Sequence, residues 1–186
     1  IDNRPGAGTM IGIEVAAKSP PDGYTLLMGL STLAINSALY KKVPYDPQRD
    51  FAPITQAVSS ASIIVVHPSV PVKTLKELIA FSRARPGQLN YASAGNGTYP
   101  HMTMELLLSM ANLKMVHIPY KGTAPAMIDM LAGQVATMAA TVLTGMPHIR
   151  SGRLRPIGIT SLERAGAAPE IPTIAEGGLP GYESVQ

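Results

Sequence analysis

The chain contains no cysteine. Disulfides, thiolate metal sites and cysteine nucleophiles are therefore excluded, while the compartment stays open. Tryptophan is absent too, and aromatic residues make up only 5% of the 186 residues. Charge is equally sparse, at 15% with a formal net charge of +3. A nucleic-acid binder needs a dense basic face interleaved with stacking aromatics, so no nucleic-acid partner is expected. The small positive balance biases the chain mildly toward anionic ligands. Long apolar runs are missing as well, because Gly, Pro or charge interrupts each before it reaches the length of a spanning helix. No secretory signal is visible at the start.

What is present is ample material for a core, with 46% hydrophobic residues, enough for one domain of ordinary size or two small lobes. Ile1-Asp2-Asn3-Arg4-Pro5-Gly6-Ala7-Gly8 reads as a Gly/Pro loop of the kind that follows a strand and leads into a helix. Tyr182 to Gln186 begins an alternating pattern and stops. Both ends thus read as mid-domain, and the chain is expected to be truncated at each.

Between the ends, periodicity and punctuation alternate. Thr9 to Lys18 reads as a helix with Ile11, Val15 and Ala16 on one face, closed by Pro20-Pro21-Asp22-Gly23. Tyr24 to Met28 and Phe51 to Val58 read as strands around a possible short helix at Thr32 to Tyr40, with Pro44-Tyr45-Asp46-Pro47 a turn. The Ile/Val-rich run Ala61 to His67 is strand-like. Thr74 and Glu77 form a capping-box signature before a helix carrying Leu75, Leu78, Ile79 and Ser82 on one face. Leu89 to Ala92, Met115 to Ile118, Gln134 to Ala140 and Arg155 to Thr160 read as strands. Helices fill the gaps: one up to Ala111 with Met102, Leu106 and Met110 at spacing four, one capped by Thr123, and one from Leu143 to Ser151. A further short helix is expected near Thr173 to Glu176. Alternating strands and helices imply an α/β fold with a mostly parallel sheet.

Ligands of such sheets sit beyond the carboxyl ends of the strands. Three small-residue loops pass from strand to helix: Gly29–Thr32, Ser93–Thr98 and Tyr120–Thr123. Each would leave N–H groups of a helix start pointing outward, ready for a carboxylate or phosphate. Gly95 and Gly97 would let a ligand approach the backbone. Ordinary capped turns have the same composition, so a single loop is weak support. Ser93–Thr98 is no P-loop, since Gly-Lys-Ser/Thr does not follow.

The remaining chemistry is thin. No pair among His67, His101, His117 and His148 has the i, i+4 spacing of a helical zinc site, and no metal is expected. His101, just inside the helix after Thr98, either faces a ligand or packs; His117 and His148 read as structural. The acidic residues are scattered, without a pair suited to acid/base work. No Gly-x-Ser-x-Gly elbow occurs. Arg150, Arg153 and Arg155 read as a solvated basic face. Met102, Met104, Met110, Met127 and Met130 read as core. Pro156 removes a ladder donor and should mark an edge or a strand start.

Eight motifs occur in order: Asn3–Gly8, Pro21–Leu27, Tyr45-Asp46-Pro47, Asn90–Thr98, Val116–Gly122, Gly133-Gln134-Val135, Pro147-His148-Ile149 and Pro172–Glu176. Their order and spacing closely resemble the Bug family, the TctC-like receptors of tripartite tricarboxylate transporters. The resemblance covers essentially the whole chain. It implies a periplasmic, two-lobed binding-protein fold of type II, closing on a small carboxylate, with membrane transporter subunits as partners, no cofactor and no enzymatic activity. It places 1–59 and 162–186 in lobe one and 60–161 in lobe two, with a hinge near Ile63 and Ile157. A monomer is expected. The resemblance assigns Ser93, Ala94, Gly95, Asn96, Gly97 and Thr98 to the lobe-two carboxylate site, with His101 beside it. Ser31 and Thr32 fall on the lobe-one wall, and Tyr120, Lys121 and Thr141 border the cleft. The chain departs from many relatives at Ala139-Ala140-Thr141, where they carry Phe-Asp-Asn. Without that acidic group a plain carboxylate or aromatic acid is favoured over an amino acid. Two other readings remain: an α/β enzyme using His101 or Lys121 on a bound carboxylate, and a sensor subunit that presents the liganded lobes to a partner.

Overall fold

The structure, a computed structural model, describes residues 1–4 and 6–186; Pro5, within the first of the eight motifs, lies outside them. The element order is α1 (Met10–Ala17), α2 (Thr32–Leu39), β1 (Ser62–Val66), α3 (Leu75–Ala84), β2 (Asn90–Ser93), α4 (Tyr99–Ala111), β3 (Val116–Pro119), α5 (Thr123–Leu131), β4 (Thr137–Thr141), α6 (Val142–Arg150) and β5 (Arg155–Ile159). The strands form one five-stranded sheet in the order β3-β2-β4-β1-β5. Among the described residues no helix is long and apolar enough to cross a membrane.

The sheet organises everything after residue 60. β1 reads Ser-Ile-Ile-Val-Val, and all of it is buried. Ile64 and Val66 face a core with Leu75 and Leu78 of α3, Met104 and Leu107 of α4, and Tyr91 of β2. Ile63 and Val65 face the opposite core with Met127 and Met130 of α5, Met146 of α6 and Met138 of β4. A strand covered on both faces reads as a continuous apolar run, which is why β1 does not alternate. Burial of each of these four β1 side chains is worth about 1.5–3 kcal/mol.

The sheet is mixed, not mostly parallel in its pairings. β2 pairs in parallel with β3 and β4, but β1 runs antiparallel to both β4 and β5. β2, β3, β4 and β5 therefore point one way and β1 runs against them. A helical crossover sets the parallel pairs, but nothing in the composition of β1 signals its direction. Pro156 stands as expected on β5, at the sheet edge, where the register against β1 shifts between Ile64 and Val65.

Several expectations yield to packing. Tyr24 to Met28 and Phe51 to Val58 form no strand among the described residues, and Tyr24, Leu26, Met28, Ile54 and Val58 are exposed. A strand-length apolar run makes a strand only where a neighbour completes the ladder. In α1 the buried side chain is Ile13, while Ile11 and Val15 are exposed. In α4 the inward side chains are Thr103, Met104, Leu107, Leu108 and Ala111, so Met102, Leu106 and Met110 form an outer stripe. Gly122, at φ 120°, occupies the cap position of α5, and the Thr123 hydroxyl makes no cap bond.

Thr173 to Glu176 is a turn, not a helix. Thr173 Oγ1 accepts from the Glu176 N–H at 3.1 Å and Glu176 Oε2 accepts from the Thr173 N–H at 2.7 Å. The box closes, but the Ile174 N–H donates to Ile159 O at 2.8 Å, so the chain follows β5 instead of winding on. Thr74 behaves as read, accepting from the Glu77 N–H at 3.2 Å.

Arg155 is no solvated charge. Its Nη1 donates to the carbonyls of Val70 and Val72 at 3.0 and 2.7 Å, tying the β1–α3 connection to β5. Arg155→Met should therefore destabilise the protein by about 1.5–3 kcal/mol, as expected for hydrogen bonds from a charged donor. Arg150→Met and Arg153→Met, at exposed positions, should stay within about 0.5 kcal/mol. Urea denaturation of the three variants checks the contrast; equal effects would return Arg155 to the surface cluster.

Candidate functional site

β2, β3 and β4 run in parallel register, with Ser93 opposite Pro119. Ser93, Tyr120 and Thr141 consequently emerge at the same edge of the sheet, the carboxyl edge where open α/β sheets bind ligands. The Ser93–Thr98 loop leads from there into α4. It is wound upon itself. Ser93 Oγ accepts from the Gly95 N–H at 3.1 Å, and Thr98 Oγ1 and Thr98 N–H both donate to Gly95 O, at 2.6 and 3.3 Å. His101 Nδ1 accepts from the Gly97 N–H at 3.1 Å. The N–H groups of Gly95, Gly97 and Thr98 are thus already bonded within the loop, a correction to their expected outward direction. Ala94 is half-buried and Asn96, at the tip, is exposed.

The glycines serve a different approach from the one expected. A Cβ on Gly97 (φ 72°) would lie 2.8 Å from Leu39 Cδ2 and 3.3 Å from Asn36 Oδ1, both on α2. A Cβ on Gly8 would lie 2.7 Å from the Asn96 carbonyl, and one on Gly95 3.3 Å from the Tyr120 carbonyl. Absent side chains let protein backbone, not ligand, come close.

The wall opposite the loop is built by the Gly6–Thr9 turn and α2. Ala7 and Thr9 hold φ of 47° and 73°. For a β-branched residue such as Thr9 this is a strained conformation, of the kind that clusters at ligand sites. Thr9 Oγ1 and Thr32 Oγ1 share a hydrogen bond of 2.8 Å, and Asn36 Nδ2 donates to Gly8 O at 3.3 Å. Ser31 precedes α2 without capping it. Its Oγ and Asn36 Oδ1 are buried and have no hydrogen-bond partner among the described residues; Ser62 Oγ and Ser82 Oγ share that condition. Ser31 also lines an open groove with Ile35, Tyr99, Met102 and Leu106.

A packed aromatic cluster backs the loop. The rings of His101 and His117 stack at 4.1 Å and 14°, and His117 stacks on Tyr91 at 4.8 Å. Ser93 Oγ lies 2.6 Å from His117 Nε2. The Tyr91 hydroxyl donates to Glu105 Oε1, and that same oxygen is 4.0 Å from His101 Nε2. Burial pushes the His117 imidazole down to about 4, and the nearby His101 pushes the same way. His101 is lowered by burial, against the pull of Glu105.

The outer border is looser. Tyr120 donates its hydroxyl to Asp129 Oδ2 at 2.7 Å, and its phenol is pushed up to about 12, mainly by burial. Lys121 is exposed. Thr141 caps α6, accepting from the Thr144 N–H at 3.2 Å. The structure therefore brings Ser93–Thr98, His101, Ser31 and Thr32 together, and sets Tyr120, Lys121 and Thr141 along the same sheet edge. Sequence reasoning did not single out Asn36 or the contact between His117 and Ser93. Among the described residues no cluster of three or more His, Asp or Glu could hold a metal ion.

A family model described as TctC, the tripartite tricarboxylate transporter family receptor, matches residues 1–186. The chain belongs to this TctC family. A protein encoded in the tcbD–tcbE intergenic region of Pseudomonas sp. strain P51 is 41% identical over 98% of this TctC-family chain and 55% of its own length. BugT of Bordetella pertussis is 37% identical over 98% of the chain and 56% of its own. Among solved structures, Rpa4515 of R. palustris with adipate superposes with a TM-score of 0.94 at 34% identity, over all of this chain and 62% of that one. The periplasmic binding protein BugD gives 0.93 at 33% identity, covering 99% and 62%. MatC from Rhodopseudomonas palustris with bound malate gives 0.89 at 30% identity, covering 97% and 62%. The fold is that of the Bug/TctC periplasmic binding proteins, and the chain spans little more than half the length of the curated relatives it matches.

The two depressed histidines make the stability of this TctC-family chain pH-dependent. An unfolded histidine takes up its proton as pH falls through about 6.5. In the folded chain His117 resists protonation down to about 4. Stability present above about pH 6.5 should therefore be lost progressively as pH falls toward the folded value. Urea midpoints at about pH 7.5 and about pH 5 check this, and His117→Gln should flatten the difference. A midpoint higher at the acid pH would contradict the assignment.

Proposed function

We propose that this chain is part of an extracytoplasmic, periplasmic solute-binding protein that captures a small carboxylate, a di- or tricarboxylic or aromatic acid, for a tripartite tricarboxylate transporter. It binds and does not turn over its ligand, needs no cofactor, and works as a monomer alongside the membrane subunits. Family membership and structural neighbours solved with adipate and malate support this reading. In the proposed layout 1–59 and 162–186 belong to lobe one, 60–161 to lobe two, and the hinge runs near Ile63 and Ile157.

The observation that carries the site is the pair of buried, unpartnered oxygens at α2: Asn36 Oδ1, beside Gly97, and Ser31 Oγ, whose residue borders the groove with Tyr99 and Met102. A buried polar atom left unsatisfied costs about 1–3 kcal/mol, so a polar ligand or the water it carries stabilises this wall. Ser31 Oγ–H can donate to a carboxylate; Asn36 Oδ1 can only accept, from a protonated carboxyl, a hydroxyl, an N–H or a water. Thr32, Ala94, Asn96 and the Thr98 end of α4 complete the proposed contact surface, with the α4 dipole favouring an anion. Tyr120 and Thr141 border it. Lys121, exposed beside it, adds positive potential. No acidic group stands at the Ala139-Ala140-Thr141 end of β4, so an ammonium group would lack a counter-charge there.

Calorimetric titration of the full-length protein with adipate, malate, a tricarboxylate and an aromatic acid tests the reading. At least one acid should bind with the ligand recovered unchanged. Asn36→Ala should weaken that acid about tenfold or more, near 1.4 kcal/mol. Lys121→Met should weaken it less, and less still in high salt. No heat and no thermal shift with any of these acids would overturn the proposal.

A further inference from the structure

Both histidines of the stacked pair end on the loop that the proposed function treats as the anion site. His101 Nδ1 holds the Gly97 N–H at 3.1 Å, and His117 Nε2 holds the Ser93 hydroxyl at 2.6 Å. Ser93 is the first residue of the loop, and Gly97 sits next to α2 across the junction. The two contacts grip the loop at both ends of its turn. Their geometry also specifies protonation. An imidazole nitrogen that accepts from a backbone N–H cannot itself carry a proton. His101 must therefore be neutral, with its proton on Nε2, toward Glu105 at 4.0 Å. Two parallel rings at 4.1 Å cannot both be cationic without strong repulsion.

We propose that His101 and His117 are positioning residues, a neutral stacked pair that shapes the Ser93–Thr98 loop for anion binding and releases it on acidification. A proton on His101 Nδ1 turns the acceptor into a donor facing the Gly97 N–H. The contact breaks, and Gly97 loses the bond that fixes its left-handed conformation. His101 thus acts through the loop, and not as a cationic contact to the ligand.

The groups facing the pair are few. α4 contributes Glu105 and β2 contributes Tyr91, whose hydroxyl donates to Glu105. On the far side of Glu105, Lys114 lines the same surface hollow. Glu105 favours protonation of both rings, and burial opposes it for both; burial dominates in each case. The pair is neutral near pH 7 and becomes protonated only in acid.

The two roles predict opposite signs. A cationic histidine touching a carboxylate would bind it more tightly as pH falls. A neutral acceptor positioning the loop binds it more weakly. His101→Asn places an amide oxygen near Nδ1 that accepts but does not titrate; His101→Leu offers nothing.

The first experiment needs no ligand. In the full-length protein, NMR should show the Gly97 amide shifting with the same midpoint as the His101 ring. In His101→Asn that amide should hold its position across the range. A Gly97 amide indifferent to the His101 titration overturns the inference, whether or not any acid binds.

The second uses whichever of adipate or malate the wild type binds, measured from about pH 7.5 to about pH 5. Referencing wild type to His101→Asn removes the ligand's own titration. Relative to that variant, wild-type affinity should fall several-fold toward the acid end. At neutral pH, His101→Leu should lose about tenfold and His101→Asn clearly less. A relative affinity that rises in acid would make His101 a direct cationic contact and overturn the proposal. Absence of binding by either acid counts against the proposed function and leaves the NMR result to decide this one.

Discussion

Two glycine-bearing turns have to meet without a side chain between them. Gly8 faces the Asn96 carbonyl, and Gly97 faces Leu39 and Asn36 on α2. Any Cβ at these positions would fall inside contact distance. Both glycines also hold positive φ, so two separate constraints select the same residue. Where the turns meet, Asn36 is closed off from water, and its Oδ1 is left without a hydrogen-bond partner among the described residues. The close approach is therefore what gives the proposed site its unsatisfied oxygen at Asn36.

Behind the turn, neutral histidines do what a harder acceptor would do with less finesse. A carboxylate at the position of His101 would grip the Gly97 N–H more strongly, but it would set a fixed negative charge beside the proposed anion loop. An amide would grip without a charge and without response to pH. A buried imidazole accepts while neutral and stacks on its neighbour, so it contributes packing and a hydrogen bond together. Tyr91 extends the stack into the core and ties it to Glu105 through its hydroxyl. Loop shape thereby connects to the centre of the sheet through three rings.

Much of the sheet body was legible in the sequence, because its signals are local. The Ile/Val run of β1, the Thr74 cap, the glycines closing helices and the edge proline at Pro156 all declare themselves within a few residues. Strand direction does not. β1 and β4 carry the same kind of buried pattern, yet one is antiparallel to its neighbours, and that depends on connections tens of residues long. Tyr24 to Met28 shows the converse failure. It is an apolar run of strand length, but a ladder needs a neighbour, and composition cannot supply one. The Met102, Leu106 and Met110 stripe failed for a related reason. Spacing four finds a helix face but does not say which of two apolar faces turns inward, and Met104, Leu107 and Leu108 compete for the same core.

The candidate site was legible only as a loop. Ser93 to Thr98 announces itself by its small residues between a strand and a helix. Asn36 does not, since an asparagine in a short helix reads as surface until Gly8 and Gly97 close over it. His117 was set aside as structural. In one sense that was right, because its ring is packed and its proton affinity depressed. Packing and function need not be alternatives: under the proposal, an acceptor that holds a loop only while neutral would be structural by contact and functional by consequence. Such a residue is recognised by what its ring nitrogens hold, and spacing along a chain carries no record of that.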